Sequence, residues 1–376
     1  MGYDTKKRIG LLTLPLARAS IVPLSNLVEI LFRISTKFTL ITGNEGYTWY
    51  KGEHRFTVYG INYKIDNSIW KVPRYLQGQV KASILLIKNS RDAKCWFIFG
   101  GQSSVIPIIT AKLLNKKVII VMVGSAVRDS LFSQDNFLKI TKILSSTCLS
   151  LADEVIIYSP NLIQEWGLEP YQQKTIIAHR HFLDFEIFTV TTPLPDRPPL
   201  IGYIGRLSGE KGVQHFAKAL PAILGDREDL RVLIGGDGAL KEAIEASLQE
   251  GGVSARVDLP GWIAHDDLPP YLNHLRLLVL PSYTEGLPNI MLEAMACGTP
   301  VLATPVGAIP DVIIDRKTRF IMENNSPKCI AANVVRALSS LDLERIAEDG
   351  RRFVEENFSF EKTVENWKRI LQNPSS

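Results

Sequence analysis

Short apolar runs alternate with helical patterns along the whole chain, and this alternation restricts the fold more than any other feature of the sequence. In the second half, strands are predicted near 200–204, 231–235, 256–259, 277–281 and 300–303, and helices near 212–224, 239–250, 267–274, 289–297 and 327–339. In the first half, strands are predicted within 9–17, 94–101, 117–124, 154–158 and 175–178. Strands that alternate with helices are typical of parallel sheets wrapped by helices.

A proline-rich segment divides the chain into two parts. At 376 residues the chain is too long for one ordinary domain, and Pro193–Pro199 has the composition of a stiff linker. We therefore expect a Rossmann-like domain over residues 1–192 and a second one over residues 200–360, facing each other across a cleft. A last helix near 361–371, within a tail of residues 361–376, is expected to cross back onto the first domain.

The run from Thr284 to Ala303 has the most specific pattern in the sequence. It follows an apolar strand that ends near 281, and Pro288 suits the first position of a helix because its missing N–H is not needed there. Glu285 would then lie on the loop at the carboxyl end of the strand, and Glu293 would lie one to two turns inside the helix. Ligands of open parallel sheets bind at this edge, and carboxylates accept paired hydrogen bonds from vicinal hydroxyls. The run therefore indicates a site for sugar hydroxyls.

The same run resembles the Glu-x7-Glu motif of retaining glycosyltransferases with the GT-B architecture, most closely those of family four, also called group 1. Ile201–Gly212 resembles the strand, glycine turn and Arg/Lys pair that open the nucleotide-binding half of that family, and Val232–Gly238 resembles its next strand and turn. Phe358–Phe360 and Trp367 resemble the helix that crosses back to the first domain. The likeness covers residues 200–371 well and the first half only in outline.

The resemblance implies a binding site for a nucleotide-diphosphate sugar. Arg206 and Lys211 would contact the diphosphate without an obligatory metal, and Glu285 would hold the transferred sugar, so these three are the predicted catalytic residues. Fixed cations suit this role because charge builds up on the leaving diphosphate. Glu293 would hold the ribose hydroxyls. The other predicted donor-binding residues are Gly205, Gly236, Gly261, Trp262, Ile263, Gly286, Leu287, Pro288, Asn289 and Ile290. For Trp262, a role in the core and contact with the nucleobase are equally open.

The first half departs from the resembled pattern in two loops. Many relatives carry a Gly-Gly loop near the N-terminus and a His at a central strand end, whereas the loops here are Leu14–Ser20 and Val123–Asp129. The second loop keeps a Gly-Ser-x-x-Arg variant, so Ser125 and Arg128 are candidates for the acceptor side. The sequence leaves open whether Arg128 holds a phosphate or forms a salt bridge. These departures bear on the identity of the acceptor.

Composition argues against several other classes of protein. The four cysteines are scattered without a C-x-x-C pair, and the six histidines form no H-x-x-x-H helix face. Neither a disulfide framework nor a metal site is therefore indicated, and no metal or other cofactor is expected. No basic-aromatic motif points to nucleic acid. No segment reaches the roughly 18 apolar residues that span a bilayer, and Ile9–Ala17 is interpreted as a first strand rather than a signal peptide. The expected location is cytoplasmic.

The net charge of +4 hides an asymmetry between the two halves. Residues 1–190 contain 23 Lys and Arg against 14 Asp and Glu, whereas the rest of the chain contains 20 against 25. A basic first half suits an anionic partner such as a lipid phosphate, a membrane surface or an acidic glycan, although an ordinary solvated surface explains the charge equally well. The basic amphipathic pattern of residues 70–88 fits either peripheral contact with the inner face of a membrane or packing on the sheet.

These features predict a retaining, hexosyl-type glycosyltransferase that uses a nucleotide-diphosphate sugar. The expected acceptor is a lipid-linked or cell-envelope glycan, as in polysaccharide or glycolipid biosynthesis. Two alternatives remain. One is a non-catalytic subunit that binds nucleotide sugars, which the missing His favours. The other is a GT-B-shaped sugar-nucleotide epimerase, which the Glu-x7-Glu run disfavours.

Overall fold

The chain is seen in a computed structural model that describes residues 7–16, 20–61, 71–127, 138–312 and 320–372. It divides into two compact units. The first contains Met1–His181 together with Phe360–Ser376, and the second contains Phe182–Ser359. Each unit has its own parallel sheet, so the predicted class of two Rossmann-like α/β domains is confirmed.

In the described part of the first unit, the sheet has seven parallel strands in the order β3-β2-β1-β4-β5-β6-β7. They are β1 Lys7–Leu12, β2 Ser35–Thr42, β3 Thr57–Gly60, β4 Cys95–Phe99, β5 Lys117–Val121, β6 Glu154–Ile157 and β7 Thr175–Ile177. The central strands read as continuous apolar runs because strands of a covered parallel sheet are buried on both faces, and every residue of β4 is buried. The register places Leu11 between Leu40 and Phe97. The strand order reverses between β1 and β4.

Helices connect these strands. Those described in the body of the first unit are α1 Ile21–Ile34, α2 Glu45–Tyr50, α3 Lys71–Lys88, α4 Val105–Leu113, α5 Leu138–Leu151 and α6 Asn161–Glu165. Of all these elements, the sequence pattern does not predict β2, β3, α1, α2, α5 or α6. The predicted basic amphipathic helix of residues 70–88 is present as α3, and it packs against α4.

The sheet of the second unit has six parallel strands among the residues described there, in the order β10-β9-β8-β11-β12-β13. They are β8 Leu200–Ile204, β9 Arg231–Gly235, β10 Val257–Gly261, β11 Leu277–Leu280, β12 Val301–Ala303 and β13 Phe320–Ile321. The helices are α7 Val213–Asp226, α8 Lys241–Glu250, α9 Leu268–His274, α10 Asn289–Ala296, α11 Ile309–Val312, α12 Pro327–Leu338 and α13 Leu343–Asn357. Buried side chains of β8, β9, β11, α7 and α12 form one core. Here the strand order reverses between β8 and β11.

The last helix of the chain, α14 Phe360–Gln372, belongs to the first unit. Its Trp367 is buried, lies 6.2 Å from the ring of Phe97 in the sheet, and donates from Nε1 to the His179 carbonyl at 2.8 Å. Thr363 Oγ1 donates to the His181 carbonyl at 3.1 Å. The chain therefore returns to the first unit at its end, as the crossing helix of the sequence prediction requires.

The predicted linker is not a free connection between the units. Residues 182–199 lie in the second unit, where two buried polar side chains hold them. Arg197 donates to the carbonyls of Thr192, Leu272, Leu275 and Cys297 and to Thr299 Oγ1. Asn273 Oδ1 accepts from the backbone N–H groups of Thr191 and Thr192. The first unit therefore ends at residue 181 rather than at residue 192, because this segment is bonded to α9 and to the end of α10.

We expect Arg197→Met to destabilise the second unit strongly. Burial lowers the pKa of the Arg197 guanidinium to about 10, so the group is still charged at neutral pH. Its removal would leave buried carbonyls without donors, at about 1–3 kcal/mol for each group. We expect a loss of about 3 kcal/mol in the free energy of unfolding, measured by urea denaturation. The matched control is Arg276→Met, because among the described residues the Arg276 guanidinium makes one long bond, to the Pro195 carbonyl at 3.4 Å. Equal stability of the two variants would contradict this role for Arg197.

Candidate functional site

The candidate site lies at the carboxyl ends of the strands of the second unit. Parallel strands end at one edge, and ligands of open α/β sheets bind where the strand order reverses. In this unit that point lies between β8 and β11. The loops that follow these strands, residues 205–212 and 281–288, contain the three predicted catalytic residues together with Gly205, Gly286, Leu287 and Pro288. Helices α7 and α10 begin directly after these loops, so their N-termini direct free N–H groups and partial positive charge toward the same edge.

Lys211 and Glu285 meet at the point where the strand order reverses. Lys211 Nζ lies 2.7 Å from Glu285 Oε1, and Ser282 Oγ donates to the same oxygen at 2.8 Å. The Glu285 side chain is only 8% exposed, whereas that of Lys211 is 25% exposed. Two of the three predicted catalytic residues therefore form an ion pair that links the loop after β8 to the loop after β11. Ser282 is a residue that the sequence did not single out.

Arg206, the third predicted catalytic residue, remains largely free. Its side chain is 61% exposed, and its Nη1 lies 3.5 Å from Glu210 Oε1. The Glu210 carboxylate is held more firmly by Ser208 Oγ at 2.6 Å. Tyr203 OH donates to the Arg206 carbonyl at 2.7 Å and fixes the backbone under the guanidinium. Burial, followed by the nearby carboxylates of Glu285 and Glu210, raises the pKa of Tyr203 well above its usual value, so this hydroxyl remains a donor.

Glycines let neighbouring loops approach one another at this edge. Gly236 has φ +134°, and a Cβ placed there would lie 1.8 Å from the Gly205 carbonyl oxygen. Gly212 has φ +67°, and a Cβ there would lie 1.9 Å from the Pro281 carbonyl oxygen. The backbone also connects the loops directly, since Gly236 N donates to the Gly261 carbonyl at 2.7 Å. These predicted glycines therefore shape the edge through their backbone.

Glu293 lies inside α10 and is nearly fully buried, at 3% exposure. His265, on the loop after β10, places its Nε2 3.0 Å from Glu293 Oε1. The hydrogen bond to Glu293 is the main cause that raises the pKa of His265, and the carboxylate of Asp266, 3.8 Å from Nδ1, adds to it. The His265 ring also packs against the ring of Phe188, with the two ring centroids 5.4 Å apart. The sequence did not point to His265, because a histidine on a loop carries no pattern of its own.

The start of α10 differs by one residue from the prediction. Pro288 is not the first helical residue but the residue before it, with an extended backbone at φ −70° and ψ 120°. Its carbonyl accepts from Met291 N. The helix therefore begins at Asn289, and because proline has no N–H, the free donors of this first turn start at Asn289 and Ile290. Leu287 is buried, so only its backbone can face a ligand.

The loop after β12 supports the backbone of Glu285 and Gly286. Gly307 has φ +63°, and a Cβ there would lie 2.2 Å from the Glu285 carbonyl oxygen. Ala308 N donates to the Gly286 carbonyl at 2.8 Å. The loop after β12 therefore fixes the backbone of Glu285 and Gly286, so the position of the Glu285 carboxylate does not depend on its own loop alone.

Two predicted residues near the end of β10 have different surroundings. Trp262 is 54% exposed, which excludes a place in the core and leaves its ring available to a ligand. Ile263 packs over Gly235, where a Cβ would lie 2.6 Å from Ile263 Cδ1. Gly261 between the strand and Trp262 has φ +77°, which turns the chain at this point.

The candidates for the acceptor side lie in the first unit. Ser125 is buried, in the loop after β5. Gln102 links this loop to the one after β4, since its Nε2 donates to the Gly124 carbonyl and its Oε1 accepts from Ala126 N at 2.9 Å. Arg128 lies outside the described residues. Ser125 is thus placed at the carboxyl edge of its sheet.

The described residues show no sign of a metal site or of a membrane-spanning helix. In the described ranges no group of three or more His, Cys, Asp and Glu side chains is placed to hold a metal ion. None of the helices described there has the length and apolar character that crossing a membrane requires. The carboxyl edge of the second unit instead carries the predicted carboxylates Glu285 and Glu293, the predicted cations Arg206 and Lys211, and a set of backbone donors.

Comparison with known proteins agrees with this geometry. The sequence model of the family described as "Glycosyl transferases group 1" matches residues 198–340. This part of the chain is a group 1 glycosyltransferase domain. A 2-deoxystreptamine glucosyltransferase of Streptomyces kanamyceticus is 35% identical over 115 residues, 31% of this chain and 30% of that protein. A Methanocaldococcus jannaschii protein described as an uncharacterized glycosyltransferase is 30% identical over 207 residues, 55% of this chain and 52% of that protein. The chain thus matches between about a third and half of the length of these relatives.

Solved structures are similar over nearly the whole chain. HepE of Anabaena in complex with UDP has a TM-score of 0.77 and 14% identity, with 97% of this chain and 99% of that chain covered. Sucrose-phosphate synthase of Thermosynechococcus elongatus has a TM-score of 0.75 and 18% identity, with 97% and 98% covered. At such identities the likeness shows the fold, and it confirms the predicted GT-B class of this group 1 domain and its companion unit.

The His265–Glu293 pair predicts a pH-dependent contribution to stability. A raised pKa means that the folded protein binds the proton more tightly than the unfolded chain does. The contribution is therefore present below the unfolded value of about 6.5 and is lost as pH rises through the raised value. Since His265 is 40% exposed, we expect only about 0.5 kcal/mol. The stability lost in His265→Gln should be larger at pH 5.5 than at pH 8.5.

The control for this measurement is His274→Gln. His274 is exposed, and its Nδ1 contacts the Pro270 carbonyl rather than a carboxylate. Thermal unfolding of the three proteins at both pH values gives the comparison. A loss in His265→Gln that grows toward pH 8.5 would show that the sign assigned to this pair is wrong.

Proposed function

We propose that the chain is a glycosyltransferase that moves a hexosyl group from a nucleotide-diphosphate sugar to an acceptor hydroxyl, with retention of configuration. The observation that carries this proposal is the Lys211–Glu285 ion pair, set where the strand order of a group 1 glycosyltransferase domain reverses. It combines a cation for a diphosphate with a carboxylate for sugar hydroxyls at one place. Neither an isolated surface charge nor a core residue has these surroundings.

The cations and backbone donors of this edge suit the leaving diphosphate. Cleavage of the bond between sugar and phosphate adds negative charge to the diphosphate, which preorganised donors stabilise. Arg206 is exposed and only loosely paired, so its guanidinium is available to a phosphate. Lys211 uses one of its three N–H donors for Glu285, and the other two remain for phosphate or sugar oxygens. The N-termini of α7 and α10 add partial positive charge.

The two carboxylates suit two different sugars. Glu285 Oε1 already accepts from Lys211 and Ser282, so its second oxygen is the acceptor left for hydroxyls of the transferred sugar. Glu293 Oε1 is held by His265, and its second oxygen is in the same way left for the ribose. Glu285 is assigned to binding rather than to nucleophilic attack, because Lys211 and Ser282 both stabilise its charge where it is. Phosphate oxygens of the donor would then help to deprotonate the acceptor hydroxyl.

The acceptor proposed is a lipid-linked or cell-envelope glycan. One relative, 29% identical over 164 residues, is described as the capsular polysaccharide biosynthesis glycosyltransferase CapM of Staphylococcus aureus. The basic character of the first half is consistent with an acceptor that carries phosphate. The relatives named for 2-deoxystreptamine make a small polyhydroxylated acceptor the second class to include in an acceptor screen.

Removal of the free cation should weaken nucleotide binding. We expect Arg206→Gln to raise the dissociation constant for a nucleoside diphosphate by about tenfold or more, because a charge-assisted hydrogen bond contributes about 1.5–3 kcal/mol. Isothermal titration calorimetry measures this, with UDP as the first ligand because it occupies the HepE structure. Arg231→Gln is the matched control. Its side chain is 53% exposed and paired with Asp258, but it lies at the opposite, amino edge of the sheet. Equal losses in both variants would refute a diphosphate site at Arg206.

Experiments should distinguish the roles of Glu285 and Glu293. We expect Glu285→Gln to slow release of the nucleoside diphosphate from the nucleotide sugar by about a hundredfold or more, while the affinity for the free nucleoside diphosphate changes little. Glu293→Gln should instead weaken nucleotide affinity. Release of the nucleoside diphosphate is measured first with water as the acceptor and then with candidate glycan acceptors. Tight nucleotide binding without any release in the wild type would indicate the non-catalytic subunit, and full activity of Glu285→Gln would contradict the role assigned to Glu285.

A further inference from the structure

Three neighbouring helices of the first unit expose an unusual number of aliphatic side chains. Helix α4 packs against both α3 and α5, so the three form one layer. Eight aliphatic side chains of this layer are between 41% and 80% exposed. They are Leu76, Val80, Ile84 and Ile87 of α3, Ile109 and Leu113 of α4, and Ile140 and Ile143 of α5. We call this layer the α3–α5 surface.

Helix α3 has two apolar faces, one buried within the unit and one exposed. Its buried face includes Ala82 and Leu86, and this face satisfies the expectation that the helix packs within the domain. The four exposed residues recur at spacings of four, four and three, which places them on one separate stripe of the helix. Single exposed aliphatic residues are normal, but a continuous stripe joined by more of the same on two adjacent helices marks an interaction site.

The charges of this surface all have one sign. The three helices contain seven Lys and Arg and not one Asp or Glu. Lys112 is paired with Asp153 from outside the layer, at 2.6 Å. The exposed Lys81, Lys88, Lys139 and Lys142 have no ion-pair partner among the described residues. The positive charge of the first half is therefore concentrated beside the exposed aliphatic stripe rather than spread over the unit.

This chemistry fits a lipid surface better than a protein partner. The core of a protein interface is rich in Trp, Tyr and Arg and poor in Lys, whereas here Lys accompanies Leu, Ile and Val. At a membrane, aliphatic side chains enter the boundary between headgroups and acyl chains, while lysines reach the phosphates. Each Lys near an anionic leaflet contributes about 1 kcal/mol. The combination of an apolar stripe and unpaired lysines matches both contributions.

We propose that the α3–α5 surface docks the protein on an anionic phospholipid bilayer, with the aliphatic stripe of α3 in the headgroup region and the surrounding lysines on lipid phosphates. The binding is peripheral. It goes beyond sugar transfer and does not depend on the donor site, which lies in the other unit. A phosphate-bearing lipid headgroup is the partner, and the surface requires no particular headgroup beyond its negative charge.

Cosedimentation of the full-length protein with vesicles tests this proposal. The vesicles are phosphatidylcholine alone, or phosphatidylcholine with about one third phosphatidylglycerol, and the salt is raised from about 0.1 M to about 1 M, which shortens the screening length from about 10 Å to about 3 Å. We expect binding to the anionic vesicles only, weakened at least tenfold at high salt. Absence of binding, or equal binding to both kinds of vesicle, overturns the proposal.

Two pairs of variants separate the charge from the apolar stripe. Lys81→Glu with Lys88→Glu should lower the partition coefficient by about 25-fold or more, since each lysine contributes about fivefold. Ile84→Asn with Ile87→Asn should lower it by about tenfold or more. The matched controls, Lys218→Glu with Lys328→Glu and Ile187→Asn with Leu341→Asn, are exposed residues of the second unit and should bind vesicles like the wild type. All of these residues are exposed, so the variants are expected to fold.

Two further outcomes have defined meanings. If sedimentation velocity shows a dimer that Ile84→Asn with Ile87→Asn dissociates, a second copy of this chain covers the surface and the lipid proposal is wrong. If the vesicles bind as expected but Arg206→Gln leaves nucleotide binding unchanged, the proposed transfer fails and the membrane surface stands. Loss of membrane binding with intact nucleotide binding identifies a failure of this proposal alone.

Discussion

The arrangement of the second unit's carboxyl edge depends on the ion pair between Lys211 and Glu285. It joins the loops after β8 and β11, the two strands between which the strand order reverses. Such a pair is costly, because a carboxylate that is 8% exposed has lost most of its hydration. It persists because Ser282 supplies a second donor to the same oxygen and because Gly212 lets its loop approach Pro281 closely. The ion pair therefore depends on Ser282 and Gly212 as well as on its own two residues.

The charged groups around this pair differ in how much freedom they keep. Glu285 is fixed by two donors and by the loop after β12, and Glu293 is fixed by the helix that carries it and by His265. Arg206 is the opposite case, since its guanidinium is mostly in solvent and only loosely paired. Under the proposed function, a site of this kind is preorganised for neutral hydroxyls before any ligand arrives, whereas Arg206, the cation proposed to meet the diphosphate, is free to adjust. That difference matches the chemistry, because in transfer the charge changes on the phosphate side.

The sequence predicted those parts of the fold and site that have a strong local pattern. Buried parallel strands such as β4 and β11 are continuous apolar runs, and the loop after β11 contains a spaced pair of carboxylates. By contrast, β3 is a four-residue edge strand with no buried residue, so it has no apolar run to recognise. The contacts of Arg197 and His265 join positions far apart in the chain, and only the fold brings these together. The linker was misplaced for the same reason, since proline content does not reveal the hydrogen bonds that hold a segment.

The structure shows where much of the excess positive charge of the first half lies, namely on the α3–α5 surface. A positive half-chain by itself is compatible with an ordinary solvated surface, and helical periodicity in α3 alone is compatible with packing on the sheet. The structure shows that α3 packs with one face and exposes another, and that both adjacent helices also expose aliphatic side chains. Helix α5, like α3, adds lysines that have no ion-pair partner among the described residues, whereas the one lysine of α4 is paired with Asp153. Three helices without one acidic residue are hard to attribute to solubility, because surfaces that only need water mix both signs of charge and avoid apolar patches. The sequence pattern therefore becomes informative only when the fold shows which faces are already used.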